Sequence, residues 1–268
     1  MSNEPPFGRL AIVGVGLIGG SILQAAKQSW PSVDIAAIDV QDDLSNVAGA
    51  DLVVLSAPIR RNIALLPELP SHLSAGAVVT DTGSTKRAIA AAAAAIPALT
   101  FIGGHPMAGA ARGGAANGRA DLFKGRPWIL TPLSEHPLAA VARVEAFVTG
   151  LGAVPHVMTP DLHDRFVGAV SHLPQLTASA LMHVVGKLAG DAGLEIAGAG
   201  LVDTTRLATS PPDIWKDVAA TNDDVLREAL DLLIRTLSDL RDTLDTGEAI
   251  EAVFTSACRW RSTMDRGR

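Results

Sequence analysis

The first half of the chain alternates short apolar runs with longer stretches in which apolar positions recur every three or four residues. Apolar runs of four or five residues indicate buried strands, and the longer spacing indicates helices that cover them. Strands that alternate with helices predict an α/β fold built on a parallel sheet. The predicted strands are Leu10–Val13, Ile35–Ile38, Leu52–Leu55, Ala77–Thr80, Phe101–Gly103, Trp128–Leu130 and Val154–Met158.

The helices of this half are predicted from the stretches with the longer spacing. Between Asp39 and Leu52 there are barely enough residues for a parallel crossover, so we expect the helix there to be reduced to a turn or two. The predicted helices are Leu17–Ser29, Thr85–Ala95 and Leu138–Leu151.

The second half loses the strand pattern after Pro160 and reads as helical. We expect an α/β domain over residues 1–157 and an all-α domain over residues 158–268. Pro174 is expected to end or kink the first long helix, because proline cannot donate a backbone hydrogen bond. The predicted helices are Asp161–Gly190, Val225–Leu244 and Glu248–Met264, and Gly193–Thr205 is predicted to be a loop.

Composition and charge narrow the class of protein. Hydrophobic residues make up 48% of the chain and charged residues 19%, which is ample for a buried core. The net charge of −6 and the absence of a Lys/Arg run argue against nucleic-acid binding. The single cysteine, Cys258, excludes an intrachain disulfide and a thiol-rich metal site. Since we find neither a secretory signal nor an apolar run of membrane-spanning length, we expect a cytoplasmic protein with no membrane partner.

A glycine-rich turn joins the first predicted strand to the first helix. Gly14, Gly16 and Gly19 form the pattern G-x-G-x-x-G, with Leu17 and Ile18 between the last two glycines. In this context the glycines allow a tight turn, close approach of a pyrophosphate, and close packing of helix on strand. The free N–H groups at the helix N-terminus then face the phosphates. The turn therefore predicts a Rossmann-type dinucleotide site.

An acidic residue selects the dinucleotide. Asp39 ends the second predicted strand about 20 residues after the glycines, where a carboxylate binds the adenosine ribose hydroxyls. A carboxylate would repel the 2′-phosphate of NADP, and no arginine follows Asp39 to neutralise that phosphate. We therefore predict that NAD is the cofactor.

Further motifs identify a family. After the fourth and fifth predicted strands stand DTGSTK (residues 81–86) and GGHPMAG (103–109), at the strand ends where open α/β sheets bind ligands. With GVGLIGGS (14–21), SHLPQ (171–175) and DTTRLATSPPDIWKD (203–217), the chain resembles the prephenate/arogenate dehydrogenase family of tyrosine biosynthesis. The resemblance implies NAD-dependent oxidative decarboxylation of prephenate, a Rossmann-type domain, and an all-α dimerisation domain that makes a homodimer.

The resemblance also implies roles for individual residues. His105 accepts the proton of the substrate hydroxyl, which requires a neutral imidazole. Ser84 hydrogen-bonds this histidine and lies near the cofactor, or it is an ordinary helix N-cap. Arg206 holds a substrate carboxylate, or it is a solvated surface residue. Trp215 and His172 lie near the substrate, although the first can simply pack there and the second can tie helices together.

Gln175 departs from the pattern of many prephenate-specific relatives, which resemble SHLPH. A glutamine is never cationic, and its amide both donates and accepts hydrogen bonds, so it suits the amino-acid side chain of arogenate as well as the pyruvyl group of prephenate. Arogenate and 4-amino-4-deoxyprephenate therefore stay open as alternative substrates. Two further functions stay open: an imine or β-hydroxyacid reductase, for which Asp161–Lys187 shows no clear lysine or aspartate centre, and a non-catalytic NAD-sensing module.

Overall fold

The first half of the chain forms one sheet in the computed structural model, which describes residues 4–39, 41–109, 114–133 and 136–266. In these residues the sheet has seven strands in the order β2-β1-β3-β4-β5-β6-β7. Neighbouring strands are parallel except β5 and β6, which are antiparallel. The strands are β1 (Arg9–Val13), β2 (Asp34–Ile38), β3 (Leu52–Leu55), β4 (Val78–Asp81), β5 (Thr100–Pro106), β6 (Pro127–Thr131) and β7 (Val154–Val157).

Helices cover both faces of the sheet, because side chains alternate along each strand. Leu10 and Ile12 of β1 belong to one hydrophobic cluster, and Ala11 and Val13 belong to the other. The reduced crossover after β2 is confirmed, since the helical structure in the described residues there is one 3-10 turn, Leu44–Val47. The helices of this half are α1 (Leu17–Ser29), α2 (Ile59–Leu65), α3 (Arg87–Ala94) and α4 (Leu138–Gly150); α1 and α4 contribute to the first cluster, and α2 and α3 to the second.

Strand β5 is longer than predicted, and it changes the position of His105. The sequence predicts that Gly104–Pro106 follows the strand, but this segment continues β5 and pairs in antiparallel fashion with β6. Glycine is needed here because neighbouring atoms are close: a Cβ on Gly104 would lie 2.5 Å from the Asp81 carbonyl oxygen and 2.9 Å from Thr80 Oγ1. The glycine-rich sequence therefore permits close packing within the sheet.

The second half is mainly helical in its described residues, with a helix break at Gly190 (φ +59°), and it differs from the prediction in several places. A π-helical turn, Gly168–His172, interrupts the first long helix before Pro174, which lies in the first turn of the next helix. The loop predicted over Gly193–Thr205 is wrong, because α7 forms over Ala199–Thr205 and Gly198 is its N-cap, a position that tolerates glycine. The helices are α5 (Pro160–Val167), α6 (Leu173–Leu194), α7 (Ala199–Thr205), α8 (Pro212–Thr221), α9 (Asp223–Asp242) and α10 (Glu248–Arg266).

The chain divides into two compact units, Met1–Asp223 and Asp224–Arg268. The first unit contains the sheet and every candidate site residue named above. The second unit contains nearly all of α9, and α10, and its helices expose large apolar side chains such as Leu232, Phe254 and Trp260. Across the described ranges, no helix has both the length and the hydropathy needed to span a membrane.

Candidate active site

A cavity of about 790 Å³ lies at the carboxyl ends of β1, β3 and β4. Open α/β sheets bind ligands at this edge. Its lining joins the predicted dinucleotide turn to parts of the helical region that follow α7. The lining residues are Gly16–Ile18, Ser56–Arg60, Thr82–Ser84, Ala108, Gly109, Gly114, Ser210, Pro211 and Asp213–Asp217.

The glycine turn has the geometry of a dinucleotide cradle. Gly14 has φ +96°, and a Cβ there would lie 2.7 Å from the Ala57 nitrogen, so only glycine fits. A Cβ on Gly19 would collide with the Gly14 carbonyl oxygen, whereas Gly16 faces open space with no atom within 4 Å. Leu17 and Ile18 begin α1 and line the cavity. The free N–H groups of this helix start fit the pyrophosphate of NAD.

Asp39 lies directly beyond β2, beside the cradle. The neighbouring Ile38 accepts a 2.7 Å hydrogen bond from the Gly14 N–H through its carbonyl oxygen. The Asp39 N–H donates to Asp42 Oδ2 at 2.7 Å, which fixes the backbone there. Asp39 is exposed at the end of β2.

His105 is buried on β5 and contacts a second histidine. Its Nδ1 lies 2.9 Å from Nε2 of His163 on α5, and Nδ1 of His163 lies 2.7 Å from Oδ1 of Asp164. His105 is 6% exposed, and His163 and Asp164 are fully buried. Burial first, and then the neighbouring His163 and Lys86, hold the pKa of His105 well below its ordinary value. The imidazole is therefore neutral at pH 7, as a proton acceptor must be.

Asp164 connects α5 to the start of α3. Its Oδ1 accepts the N–H of Lys86 at 2.7 Å, and its Oδ2 accepts the N–H of Arg87 at 2.9 Å. A carboxylate at a helix N-terminus satisfies free N–H groups and interacts favourably with the helix dipole. Burial opposes ionisation of Asp164, but hydrogen bonds from His163 and these two N–H groups lower its pKa. The N-cap position of α3 is Lys86, so the alternative of Ser84 as its N-cap is wrong.

A third histidine, His172, lies beside Trp215. Their rings meet edge to face with centroids 5.9 Å apart. The Asn222 side-chain oxygen accepts from Arg87 at 2.8 Å, which leaves its amide nitrogen to donate toward His172 Nδ1 at 3.5 Å. Burial lowers the pKa of His172 to about 4, so this ring is neutral. Its Nε2 therefore carries a proton, and this buried atom has no hydrogen-bond partner among the described residues.

The remaining predicted residues differ in their surroundings. Ser84 and Trp215 line the cavity. No hydrogen bond joins Ser84 to His105 within the described part of the chain, where His105 bonds His163 instead. Arg206 is exposed at the start of a 3-10 turn. Gln175 is buried, and its side-chain amide is hydrogen-bonded within the protein. It donates to the Leu207 carbonyl oxygen at 2.8 Å and accepts from Ser210 Oγ at 3.1 Å.

Close to His105, the buried ion pair of Lys86 and Asp81 links β4 to β5. Lys86 Nζ donates to both carboxylate oxygens of Asp81 and to the Gly104 carbonyl oxygen at 2.6 Å. The side chains of Lys86 and Asp81 are 0% and 1% exposed. Asp81 also accepts the N–H groups of Gly83 and Gly104. The pair fixes the backbone immediately before His105.

Comparison with known proteins places the chain in a family. Residues 15–157 match the family model described as "Prephenate dehydrogenase, nucleotide-binding domain", and residues 159–254 match "Prephenate dehydrogenase, dimerization domain". The chain belongs to the prephenate dehydrogenase family.

Individual members of the prephenate dehydrogenase family align over most of the chain. The prephenate dehydrogenase of Bacillus subtilis is 30% identical over 90% of this chain and 71% of its own length. The cyclohexadienyl dehydrogenase of Zymomonas mobilis is 30% identical over 89% of each chain. The crystal structure of the A. aeolicus prephenate dehydrogenase with hydroxyphenyl propionate and NAD+ has a TM-score of 0.85 at 26% identity, covering 95% of this chain and 98% of that one. The resemblance inferred from the motifs is confirmed.

Sequence reasoning missed His163 and Asp164 in this member of the family. The buried residues of α5 are Pro160, His163, Asp164 and Val167, spaced as i, i+3, i+4 and i+7. That spacing defines the core-facing side of a helix. A histidine and an aspartate at core-facing positions were therefore a signal that the sequence contained.

Proposed function

We propose that the protein is an NAD-dependent prephenate dehydrogenase that converts prephenate to 4-hydroxyphenylpyruvate in tyrosine biosynthesis. The observation that carries the proposal is that His105 is buried and neutral on β5. This strand lies next to β4, and the residues that directly follow β4 line the dinucleotide cavity. Membership of the family supplies the reaction class. The glycine cradle fits NAD, which supplies the hydride acceptor when bound.

The reaction requires one base at the carbinol oxygen. As the carbinol carbon loses hydride, His105 takes the hydroxyl proton and a carbonyl forms. The ring carboxylate then leaves as CO₂, its bonding electron pair enters the ring, and the ring becomes aromatic. The phenolate oxygen takes the proton back from His105. A neutral imidazole suits both transfers, since it accepts a proton and returns it near neutral pH.

Further side chains bind the substrate in this proposal. His172 offers a buried Nε2–H donor without a partner among the described residues, beside the cavity-lining Trp215. A ligand that supplies an acceptor to such a donor gains binding free energy, because a buried polar group without a hydrogen-bond partner is energetically unfavourable. Arg206 is exposed and is proposed to pair with a substrate carboxylate. Ser84 lines the same cavity and is proposed to contact the substrate and the cofactor.

Gln175 is proposed to act on the substrate indirectly. Its amide holds the Leu207 carbonyl oxygen, inside the 3-10 turn Arg206–Thr209, and Ser210, which directly follows that turn. Ser210 itself lines the cavity. Gln175 thus fixes the segment that carries the proposed carboxylate ligand.

We also propose that the residues after about 157 form a separate all-α domain. Two copies of the chain are proposed to form a homodimer through this domain. The family's domain over residues 159–254 is named for dimerization. Large apolar side chains are exposed there, including Leu188 at 84% and Ile196 at 87%, which is more than an isolated helical layer leaves uncovered. Light scattering at micromolar concentration should give about twice the 27.7 kDa chain mass; a stable monomer would refute this proposal. A cytoplasmic location remains a prediction from the sequence.

The test of function is a spectrophotometric assay at 340 nm with parallel measurement of CO₂. Prephenate, arogenate and 4-amino-4-deoxyprephenate are each supplied with NAD and with NADP. We expect NADH and CO₂ in equal amounts with prephenate and NAD. Turnover of an amino-bearing substrate alone would reassign the substrate. NAD binding with no turnover of any of the three would support the nucleotide-sensing alternative and contradict the proposal.

A further inference from the structure

A line of three buried side chains ends at His105. Asp164 and His163 are neighbours on α5, and His105 lies on β5, 58 residues away from His163 in sequence. The two hydrogen-bond distances, 2.7 Å and 2.9 Å, leave no room for water between the partners. The sheet and α5 together therefore form a continuous chain from a carboxylate to the candidate base.

The direction of the hydrogen bonds is set at Asp164. Each of its carboxylate oxygens already accepts a backbone N–H from the start of α3. An ionised carboxylate only accepts hydrogen bonds. Nδ1 of His163, at 2.7 Å from this carboxylate, must therefore carry a proton and donate it.

The protonation state of His163 sets the direction of its hydrogen bond with His105. Burial lowers the pKa of His163, although the hydrogen bond to Asp164 acts in the opposite direction, so the ring is neutral at pH 7. A neutral imidazole with a proton on Nδ1 has a lone pair on Nε2. This lone pair faces Nδ1 of His105, which must then be the donor across the 2.9 Å contact.

We propose that His163 and Asp164 are positioning residues that hold His105 as the tautomer protonated on Nδ1, so that its Nε2 presents a lone pair to the substrate hydroxyl. The inference rests on the proposed function for the role of His105, but the tautomer can be measured without turnover. Without the chain of bonds His105 could carry its proton on Nε2, and that atom could not accept another.

The same chain stabilises His105 after it has taken a proton. The Nδ1–H of the resulting imidazolium points at His163, which in turn points at the Asp164 carboxylate. The aspartate of the Ser-His-Asp triad orients and stabilises its histidine in a comparable way. Protonation of His163 would reverse the bond, because Nε2 of His163 would then donate to His105. Lys86, His172 and Asp81 are the other titratable groups close to these two rings.

The direct test is ¹⁵N NMR of the NAD-bound enzyme with ring-labelled histidine. The His105 signals are assigned by their loss in His105→Asn. We expect a protonated Nδ1 and an unprotonated Nε2 in the wild type at pH 7. A wild-type His105 protonated on Nε2 would overturn the proposal.

Two substitutions at His163 separate positioning from packing. His163→Phe keeps a ring of similar size but removes the acceptor, so the His105 signals should shift toward the Nε2–H form. Its kcat should fall at least about tenfold and at most about 10⁴-fold, the loss when the triad aspartate no longer sets the tautomer. His163→Gln retains an amide oxygen that can accept from His105 Nδ1, and it should restore both the NMR pattern and most of the kcat.

The control is His156→Gln, an exposed histidine on β7, which should leave both readouts unchanged. Equal losses in the Phe and Gln variants, or a Phe variant with the wild-type tautomer, would overturn the positioning role. The expected NMR pattern in an enzyme that turns over none of the three substrates would support the tautomer assignment while contradicting the proposed function.

Discussion

The ion pair between Lys86 and Asp81 allows a quantitative test of how the site is held together. Lys86→Met keeps the length and apolar stem of the side chain but removes its charge. In the wild type, Lys86 Nζ uses its three protons on two carboxylate oxygens and the Gly104 carbonyl oxygen. The variant leaves the Asp81 carboxylate, which is 1% exposed, without its cationic partner and with only the N–H groups of Gly83 and Gly104 as donors.

The expected cost follows from that burial. Removing one partner of a buried ion pair destabilises a protein by about 3–5 kcal/mol, because the remaining charge is uncompensated. For a chain of this size we expect a fall in Tm of roughly 6–20 °C, from about 2–4 °C for each kcal/mol. The double variant Asp81→Asn with Lys86→Met removes both charges, and it should recover part of the loss.

The assays are urea unfolding and thermal unfolding, each followed by circular dichroism with NAD and substrate absent. Lys27→Met makes the same chemical change at an exposed position on α1 and should alter stability by no more than about 0.5 kcal/mol. A change in Lys86→Met as small as that of the control would refute the inference that this pair holds β4 to β5. A double variant no better than Lys86→Met would show that the isolated Asp81 charge is not the source of the loss.

Three further predictions concern ligands. Asp39→Ala should narrow the preference for NAD over NADP in kcat/KM, because it removes a carboxylate that repels the 2′-phosphate; equal turnover of both cofactors by the wild type would contradict it. Arg206→Ala should raise the KM for prephenate roughly tenfold or more, about 1.4 kcal/mol of binding, with kcat retained; an unchanged KM would return Arg206 to the solvated surface. Gln175→Ala should raise the same KM by releasing the Leu207–Ser210 segment, with Gln24→Ala, an exposed glutamine on α1, as the control; a wild-type KM in Gln175→Ala would exclude this anchoring role.

The local pattern of apolar residues and glycines along the sequence was sufficient to predict much of the fold. The bounds of α1 and β3 match the prediction residue for residue, because a glycine turn precedes α1 and β3 is a continuous apolar run. Helices α2 and α8 were not predicted: the first has only seven residues, and proline begins the second. Glycine was misread twice, at Gly104 and Gly198, because its use for close packing or a helix start cannot be told from its use in a loop.

The candidate site was predictable only where a motif is contiguous in sequence. The cradle and Ser84 were found because their neighbours in the chain are also their neighbours in the cavity. The contact of His105 with His163 joins residues 58 positions apart, and it depends on how α5 packs on the sheet. Likewise, a single sequence does not reveal that the Gln175 side-chain amide is hydrogen-bonded to Leu207 and Ser210.

The most direct test of the proposed mechanism is the pH dependence of kcat for the wild type and for His105→Asn, with prephenate and NAD saturating. Asparagine keeps a polar side chain but cannot accept the proton, so kcat should fall by about 10²–10⁴-fold, while NAD affinity stays close to wild type because the cradle is untouched. Since the unprotonated ring is the active form and its pKa is held below the ordinary value, wild-type kcat should be flat near pH 7 and decline only in acid. The variant should lack that acidic decline. A His105→Asn enzyme with near-normal kcat and the same acidic decline would show that the base lies elsewhere.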